Sequence, residues 1–386
     1  MHTALWGAFD RFNYGDLLFP IVTERALAQL GYTDNIAAFG LKQSDLRLYD
    51  ARPTGSLADL RAARVSNIIV AGGEVLGTRW FNMHLHISTP PLTYILKGLR
   101  KVFGLDVADQ VSRVLLNVRD YPLPWLLPAT AFAGAPQLVY NAVGGGSNIV
   151  KLPHATKAYL VETLKCAAYV SVRDRYTQTV LADLGVTAQL APDSAALMAH
   201  CSDLMASDAA HALTHEPYVA FQVSKHHAHA RYAELAHALD ALQKHTGHNI
   251  LLLPIGRAPA HEDHLALEHI RNLMHTPALM PAGDSSISDI MHLIAHAQVF
   301  IGSSLHGAIT AMAFAVPHVA LSGVPKLTRY LETWDIPEQQ TPVETSDMLT
   351  RVDEVLQVSP VVRKDLAAQL EHATWDNFRA IHACLT

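Results

Sequence analysis

The residues best suited to chemistry lie in short segments, each following an apolar run. The most informative is Phe300–Ala313, FIGSSLHGAITAMA. A buried strand ends in Gly302-Ser303-Ser304 and delivers His306 to the start of a small-residue helix. There the positive end of the helix dipole bears on the imidazole proton, so His306 is a candidate acid or base. A core histidine satisfied by backbone is the plainer alternative. Downstream, Gly323-Val324-Pro325-Lys326 follows another strand end and brings Lys326 to the same rim, with Arg329 one turn later. In Ser171-Val172-Arg173-Asp174, Arg173 sits where a guanidinium can leave the sheet and grip a carboxylate or phosphate with two parallel bonds. Asp193, in Ala191-Pro192-Asp193, is either a catalytic carboxylate or a structural residue at a domain junction.

Three glycine-rich turns complete the set. Gly7–Asp16, GAFDRFNYGD, runs from a strand into a helix, where free backbone N–H groups can meet an anion or a sugar hydroxyl. Asn13 and Asp16 can orient such a hydroxyl, or Asp16 can simply cap the helix. The turn is not GxGxxG, so a dinucleotide fingerprint is absent. Ala71-Gly72-Gly73-Glu74 and Val143–Asn148 (VGGGSN) also follow strands. Three such turns at strand C-termini predict one crevice, because open α/β sheets bind ligands there.

Alternating strand and helix patterns must position these residues. Strands are expected at Ala4–Ala8, Asn67–Ala71, Arg113–Val118, Gln137–Ala142, Tyr169–Val172, Tyr218–Val223, Ile250–Ile255, Val299–Ile301 and His318–Leu321. Helical periods fall at Leu17–Leu30, Thr156–Lys165, Thr177–Leu184 and Tyr232–Thr246, with Gly31 and Gly185 as C-terminal stops. The stretch His200–Pro217 has no strand period and reads as a boundary. Domains are therefore expected at about 1–205 and 215–355, with a last helix, 361–384, packing back across the cleft.

The 386 residues are 50% hydrophobic and 17% charged, which supplies a large core and argues against disorder. A net charge of -6 does not attract a polyanion, so nucleic acid is not an expected partner. Cys166, Cys201 and Cys384 suggest neither a disulfide framework nor a CxxC metal site, which fits a reducing cytoplasm. The run His226, His227 and His229 lacks carboxylate-supported ligand spacing, and no metal is assigned to it. Met1–Phe9 has neither the basic start nor the apolar run of a signal peptide. No apolar stretch free of charge and proline is long enough to span a bilayer. Thr93–Phe103 mixes Lys97, Arg100 and Lys101 with apolar positions and can touch a membrane surface, although a helix with one solvated basic face is the plainer reading.

Taken together, NYGD (Asn13–Asp16), AGGE (Ala71–Glu74), SVRD (Ser171–Asp174), APD (Ala191–Asp193), SSLHGAITAMAFAVP (Ser303–Pro317) and Lys326 resemble the polysaccharide pyruvyl transferase family, collinearly from residue 4 to about 335. The LHG segment is the specific part; the glycine turns alone are not. The resemblance implies a GT-B-like α/β architecture of two Rossmann-like domains facing across a cleft, the first on the acceptor side and the second on the donor side. It implies transfer of an enolpyruvyl unit from phosphoenolpyruvate, a donor substrate rather than a cofactor, to two hydroxyls of a saccharide, free or lipid-linked. It implies donor contacts from Arg173 and Lys326, joined at the same rim by Ser304 and Arg329. Acceptor contacts are expected from Asn13, Gly15, Gly72, Gly73 and Glu74. His306 is the expected acid, with Asp16 or Asp193 as base. One departure is Ser304, where members of the family often carry Arg. Rival readings are a nucleotide-sugar glycosyltransferase of the same architecture and a non-catalytic carbohydrate-binding relative.

Overall fold

The structure is a computed structural model that describes residues 3–201, 204–257 and 262–385. The first seven strands are β1 (Thr3–Trp6), β2 (Ile36–Phe39), β3 (Thr54–Gly55), β4 (Asn67–Ala71), β5 (Gln137–Val143), β6 (Tyr169–Val172) and β7 (Gln189–Leu190). They form one sheet in the order β3-β2-β1-β4-β5-β6-β7. The next five are β8 (Tyr218–Gln222), β9 (Asn249–Leu252), β10 (Ala278–Leu279), β11 (Val299–Gly302) and β12 (His318–Ala320), in the order β10-β9-β8-β11-β12. Every strand pairing within the two sheets is parallel, for example Leu5 opposite Ile69 and Ala220 opposite Phe300. Parallel pairing needs helical crossovers, which cover both sheet faces and explain the continuous apolar strands.

In each sheet the strand order reverses once, between β1 and β4 and between β8 and β11. Helices leave the carboxyl ends of such neighbours on opposite faces and open a crevice there. The first reversal places Asn13 and Asp16 beside Gly72-Gly73-Glu74. The second places Gln222 and Ser224 beside Ser303 and Ser304.

The two sheets share a hydrophobic core. Phe19, Leu197, Met198, Leu305, Ile309 and Phe378 belong to one continuous buried cluster. The last helix, Pro360–Leu385, closes it. Its Arg363 Nε donates to Ala315 O at 3.1 Å, and its Asn377 donates to Asn141 Oδ1 at 2.7 Å while accepting from the Tyr169 hydroxyl at 2.9 Å. Its own Leu366, Leu370, Phe378 and Ile381 are buried. Each fully buried side chain of this size contributes about 1.5–3 kcal/mol.

One expected strand is a helix instead. Arg113–Val118 begins as the end of the helix Pro90–Leu115, in which Val114 and Leu115 are exposed. A short apolar run cannot by itself distinguish a strand from a helix end. The expected list also omitted β2, β3, β7 and β10, which are short edge-side strands. Within the boundary stretch, Asp208–Leu213 is helical, and residues 202 and 203 lie outside the described residues. No helix among the described residues is long and apolar enough to cross a membrane.

Candidate active site

A cavity of about 510 Å³ lies between the carboxyl ends of the two sheets. Asn13, Asp16, Gly72, Gly73, Glu74 and Arg173 line it from the first sheet; Ser304, His306 and Lys326 line it from the second. Residues distant in sequence thus meet at one seam.

Helices that start on this wall include Tyr14–Gln29, Gly146–Val150, Leu305–Ala313 and Pro325–Trp334. Their first turns contribute Asp16, Ser147, His306 and Lys326 to the lining. Unpaired N–H groups and aligned peptide dipoles make helix starts favourable to negative charge. Ser304 caps the third of these helices, its Oγ accepting from Gly307 N at 3.2 Å. At the first, Asn13 Nδ2 donates to Asp16 Oδ2 at 2.8 Å, so Asp16 positions Asn13 and is not itself the N-cap.

The glycines let these elements approach. A Cβ on Gly15 would overlap Nδ1 and Cγ of His306. Gly72 has φ +79, and a Cβ there would stand 2.7 Å from the Phe19 ring. That ring packs edge-on to the His306 imidazole, with centroids 5.5 Å apart. Gly15 therefore admits the imidazole, the role of a close-packing residue. The neighbouring Tyr14 hydroxyl meets Thr310 Oγ1 at 3.0 Å, and Thr310 Oγ1 in turn donates to His306 O at 2.7 Å. This ladder fixes one sheet's site against the other's.

Arg173 is almost wholly buried and bridges two carboxylates. Its Nη2 meets Glu74 Oε2 at 2.9 Å and its Nη1 meets Asp193 Oδ2 at 3.0 Å. Burial alone would lower the Arg173 pKa, but the Glu74 and Asp193 carboxylates outweigh it and hold the guanidinium charged. Trp334 Nε1 donates to Arg173 O at 2.8 Å, pinning the segment to the second domain. Burial works to raise the Asp193 carboxyl, yet His306, Arg173 and the Ala195 N–H together hold it below its ordinary range. Asp193, expected as a possible base, is fully buried beneath the wall rather than on it. Its Oδ2 lies 3.7 Å from His306 Nε2, too far for a direct hydrogen bond, and that nitrogen has no other partner among the described residues.

Lys326 has no ion-pair or hydrogen-bond partner among the described residues. Burial and the nearby Arg173 lower its pKa from the ordinary 10.5, against the pull of Glu74 and Asp16. Arg329, expected on the donor side, turns away from the cavity: it bonds Ser147 Oγ, and its guanidinium lies 3.7 Å from the centre of the Tyr176 ring. Both partners belong to the first domain.

The second-sheet wall holds residues that sequence reasoning passed over. Gln222 Nε2 donates to Asp263 Oδ2 at 2.8 Å, and Gln222 Oε1 accepts from Ser303 N at 3.1 Å. Asp263 Oδ2 also accepts from Gly256 N at 2.9 Å, while its Oδ1 is buried without a partner among the described residues. Burial dominates these bonds and pushes its pKa up to about 6. The signal was present, an acidic residue opening the amphipathic pattern DHLALEHIRNL, but it followed a loop rather than a glycine turn. His226 and His227, from the run to which no metal was assigned, also line the cavity, as does Arg11, which is held by Asp10 at 3.2 Å. Among the described residues no group of three or more His, Cys, Asp or Glu side chains is placed to hold a metal.

Solved structures share this architecture at low identity. A trehalose-6-phosphate synthase, OtsA, superposes with a TM-score of 0.54 at 12% identity, covering 100% of this chain and 99% of its own. A UDP-N-acetylglucosamine 2-epimerase from Rickettsia bellii gives 0.53 at 10% identity over 100% and 97% of the two chains. A putative UDP-N-acetylglucosamine 2-epimerase from Listeria monocytogenes gives 0.52 at 9% identity, over 98% and 97%. These likenesses bear out the expected GT-B arrangement of two Rossmann-like domains. No curated protein matches the chain. A family model described as polysaccharide pyruvyl transferase matches residues 13–323, from the Asn13 turn through the Leu305-His306-Gly307 helix to Gly323, and the chain belongs to that family.

Proposed function

We propose that the protein transfers the enolpyruvyl carbon skeleton of phosphoenolpyruvate to two hydroxyls of a saccharide, forming a pyruvate ketal and releasing phosphate. The observation that supports this most is the meeting of His306, Arg173 and Lys326, which has no partner among the described residues, on one cavity that helix starts make favourable to anions.

The reaction adds a proton to the donor's methylene carbon, and positive character builds at the adjacent C2. One acceptor oxygen bonds to C2, the C2–O bond to phosphate breaks, and the second acceptor oxygen takes its place. Of the two hydroxyl protons lost, one balances the new methyl group and the other leaves with the phosphate. His306 is the proton donor in this reading, and Asp16 takes the proton from the attacking hydroxyl. Lys326 and the helix starts hold the donor's phosphate, lowering the cost of the charge that collects there. Arg173 is committed to Glu74 and Asp193, so its contribution to the donor is the single edge it presents at the wall. Asp193 acts through His306 and Arg173 as a positioning residue.

The test is phosphate release from phosphoenolpyruvate with a panel of saccharide acceptors, with the product's new methyl group followed by NMR. Acceptor-dependent phosphate release with a ketal methyl signal supports the reading. Stabilisation by a nucleotide sugar but not by phosphoenolpyruvate, with no phosphate released, contradicts it.

A further inference from the structure

Large apolar side chains are exposed unevenly. Of the sixteen that are exposed among the described residues, seven lie between 94 and 115. They belong to the helix Pro90–Leu115, whose backbone breaks at Gly104 with φ 84 and ψ 174. The break turns the chain through a corner, and Val102 and Phe103 stand on it at 71% and 63% exposure. On the preceding turns Tyr94 and Ile95 are 74% and 66% exposed. Helical spacing puts Tyr94, Ile95, Lys101 and Val102 on one face, with Lys97 along its edge. Among the described residues nothing approaches within 4 Å of a Cβ at Gly98 or Gly104, so this face meets open space there.

The charge of the corner opposes that of the whole chain, which is -6. Lys97 and Lys101 are exposed and have no ion-pair partner among the described residues. Arg100 lies over the Phe81 ring at 5.6 Å. The nearby acids are already engaged: Asp106 pairs with Arg79 at 2.7 Å, and buried Asp109 accepts from Phe81 N at 2.9 Å. An apolar wedge beside free lysines is the make-up of a segment lying in the boundary of a bilayer with anionic headgroups. The helix Trp80–Ile87 packs directly beneath, and its Met83 and His86 line the cavity.

We propose that this corner is a membrane-docking surface: Tyr94, Ile95, Val102 and Phe103 enter the headgroup boundary of an anionic bilayer, and Lys97 and Lys101 meet its phosphates. Docking there holds the cavity one helix away from the lipid surface, within reach of an acceptor carried by that surface. The docking requires no turnover, so it stands or falls separately from the reaction proposed above.

Co-sedimentation of the full chain with vesicles decides it. The wild-type protein is expected to sediment with vesicles of equal parts phosphatidylcholine and phosphatidylglycerol, less so at high salt, and not with phosphatidylcholine alone. The double variant K97E/K101E is expected to bind roughly thirtyfold more weakly or worse, given the contribution of each basic side chain at an anionic surface. V102S/F103S is expected to bind at least about tenfold more weakly, from lost apolar insertion. Both variants should unfold at the wild-type temperature, because the side chains changed are exposed. Failure of the wild-type protein to sediment with anionic vesicles, or unchanged binding of both variants, overturns the proposal. So does a concentration-dependent dimer that V102S/F103S abolishes while vesicles are ignored, which would assign the face to a second copy of the chain.

Discussion

Gly15 lies flat against the imidazole of His306, so closely that a Cβ on Gly15 would overlap the ring. The start of the first helix and the start of the helix Leu305–Ala313, from opposite domains, therefore share one small volume. Gly15→Ala must push the ring away or part the domains. It is expected to lower turnover by about 10²-fold, the cost of misplacing a reacting group by about an ångström. Steady-state kinetics beside a denaturation curve checks this; full activity in Gly15→Ala would mean that the ring position is unimportant.

His306→Ala is expected to reduce turnover by about 10²–10⁴-fold, the range for loss of a positioned acid or base. The fold should survive, since the imidazole makes no direct hydrogen bond through Nε2 among the described residues. Near-normal product formation by the purified variant would remove His306 from the proton-transfer role.

Lys326→Met is expected to raise the donor KM roughly ten- to hundredfold, the equivalent of about 1.5–3 kcal/mol of charge-assisted bonding. The Lys326 ammonium titrates below the ordinary 10.5 because burial and Arg173 disfavour its charge. Donor binding should therefore weaken as pH rises, starting lower than an ordinary lysine would impose. Lys326→Arg should move that alkaline limit upward, because guanidinium stays charged. A donor KM profile against pH that is identical in both proteins would contradict this.

Asp193→Ala leaves the buried Arg173 with Glu74 alone, and breaking such a pair costs about 3–5 kcal/mol. The Asp193 carboxyl is held below its ordinary range, so its stabilisation is complete above that range and is lost as pH falls through the lower folded value. Urea curves of wild type and Asp193→Asn should differ at neutral pH and converge in acid. Equal stability at neutral pH would show that the bridge contributes nothing.

Asp263 runs the other way. Its pKa is raised from 3.8 to about 6, so the folded protein holds that proton more tightly than the unfolded chain. Stability should fall as pH rises between these values, by about 3 kcal/mol in all. Asp263→Asn should remove that slope, and the measurement is unfolding free energy against pH for both proteins. Parallel curves would place the ionisation elsewhere.

Much of this site was legible because its residues announce local backbone demands. The Gly72-Gly73 turn and the Leu305-His306-Gly307 helix start are short-range features tied to strand ends, and parallel topology carries strand ends to one crevice. What was not legible is pairwise geometry. Nothing near Arg173 in the chain shows that Glu74 and Asp193 will neutralise it, because that depends on the order of β4, β5 and β6. Arg329 and Lys326 are three residues apart on one helix, yet packing sends one to Ser147 and leaves the other in the cavity. Arg113–Val118 failed as a strand because the run ends a helix: Val114 and Leu115 face solvent, and Val118 is buried in the core only after the helix has stopped.

A crystal soaked with phosphoenolpyruvate tests most directly whether Lys326, His306 and Arg173 surround one small anionic donor. The expected result is donor density in the seam, with its phosphate on Lys326 and its methylene carbon facing His306. Donor density away from these three groups, or an empty seam at saturating donor, would contradict the assignment.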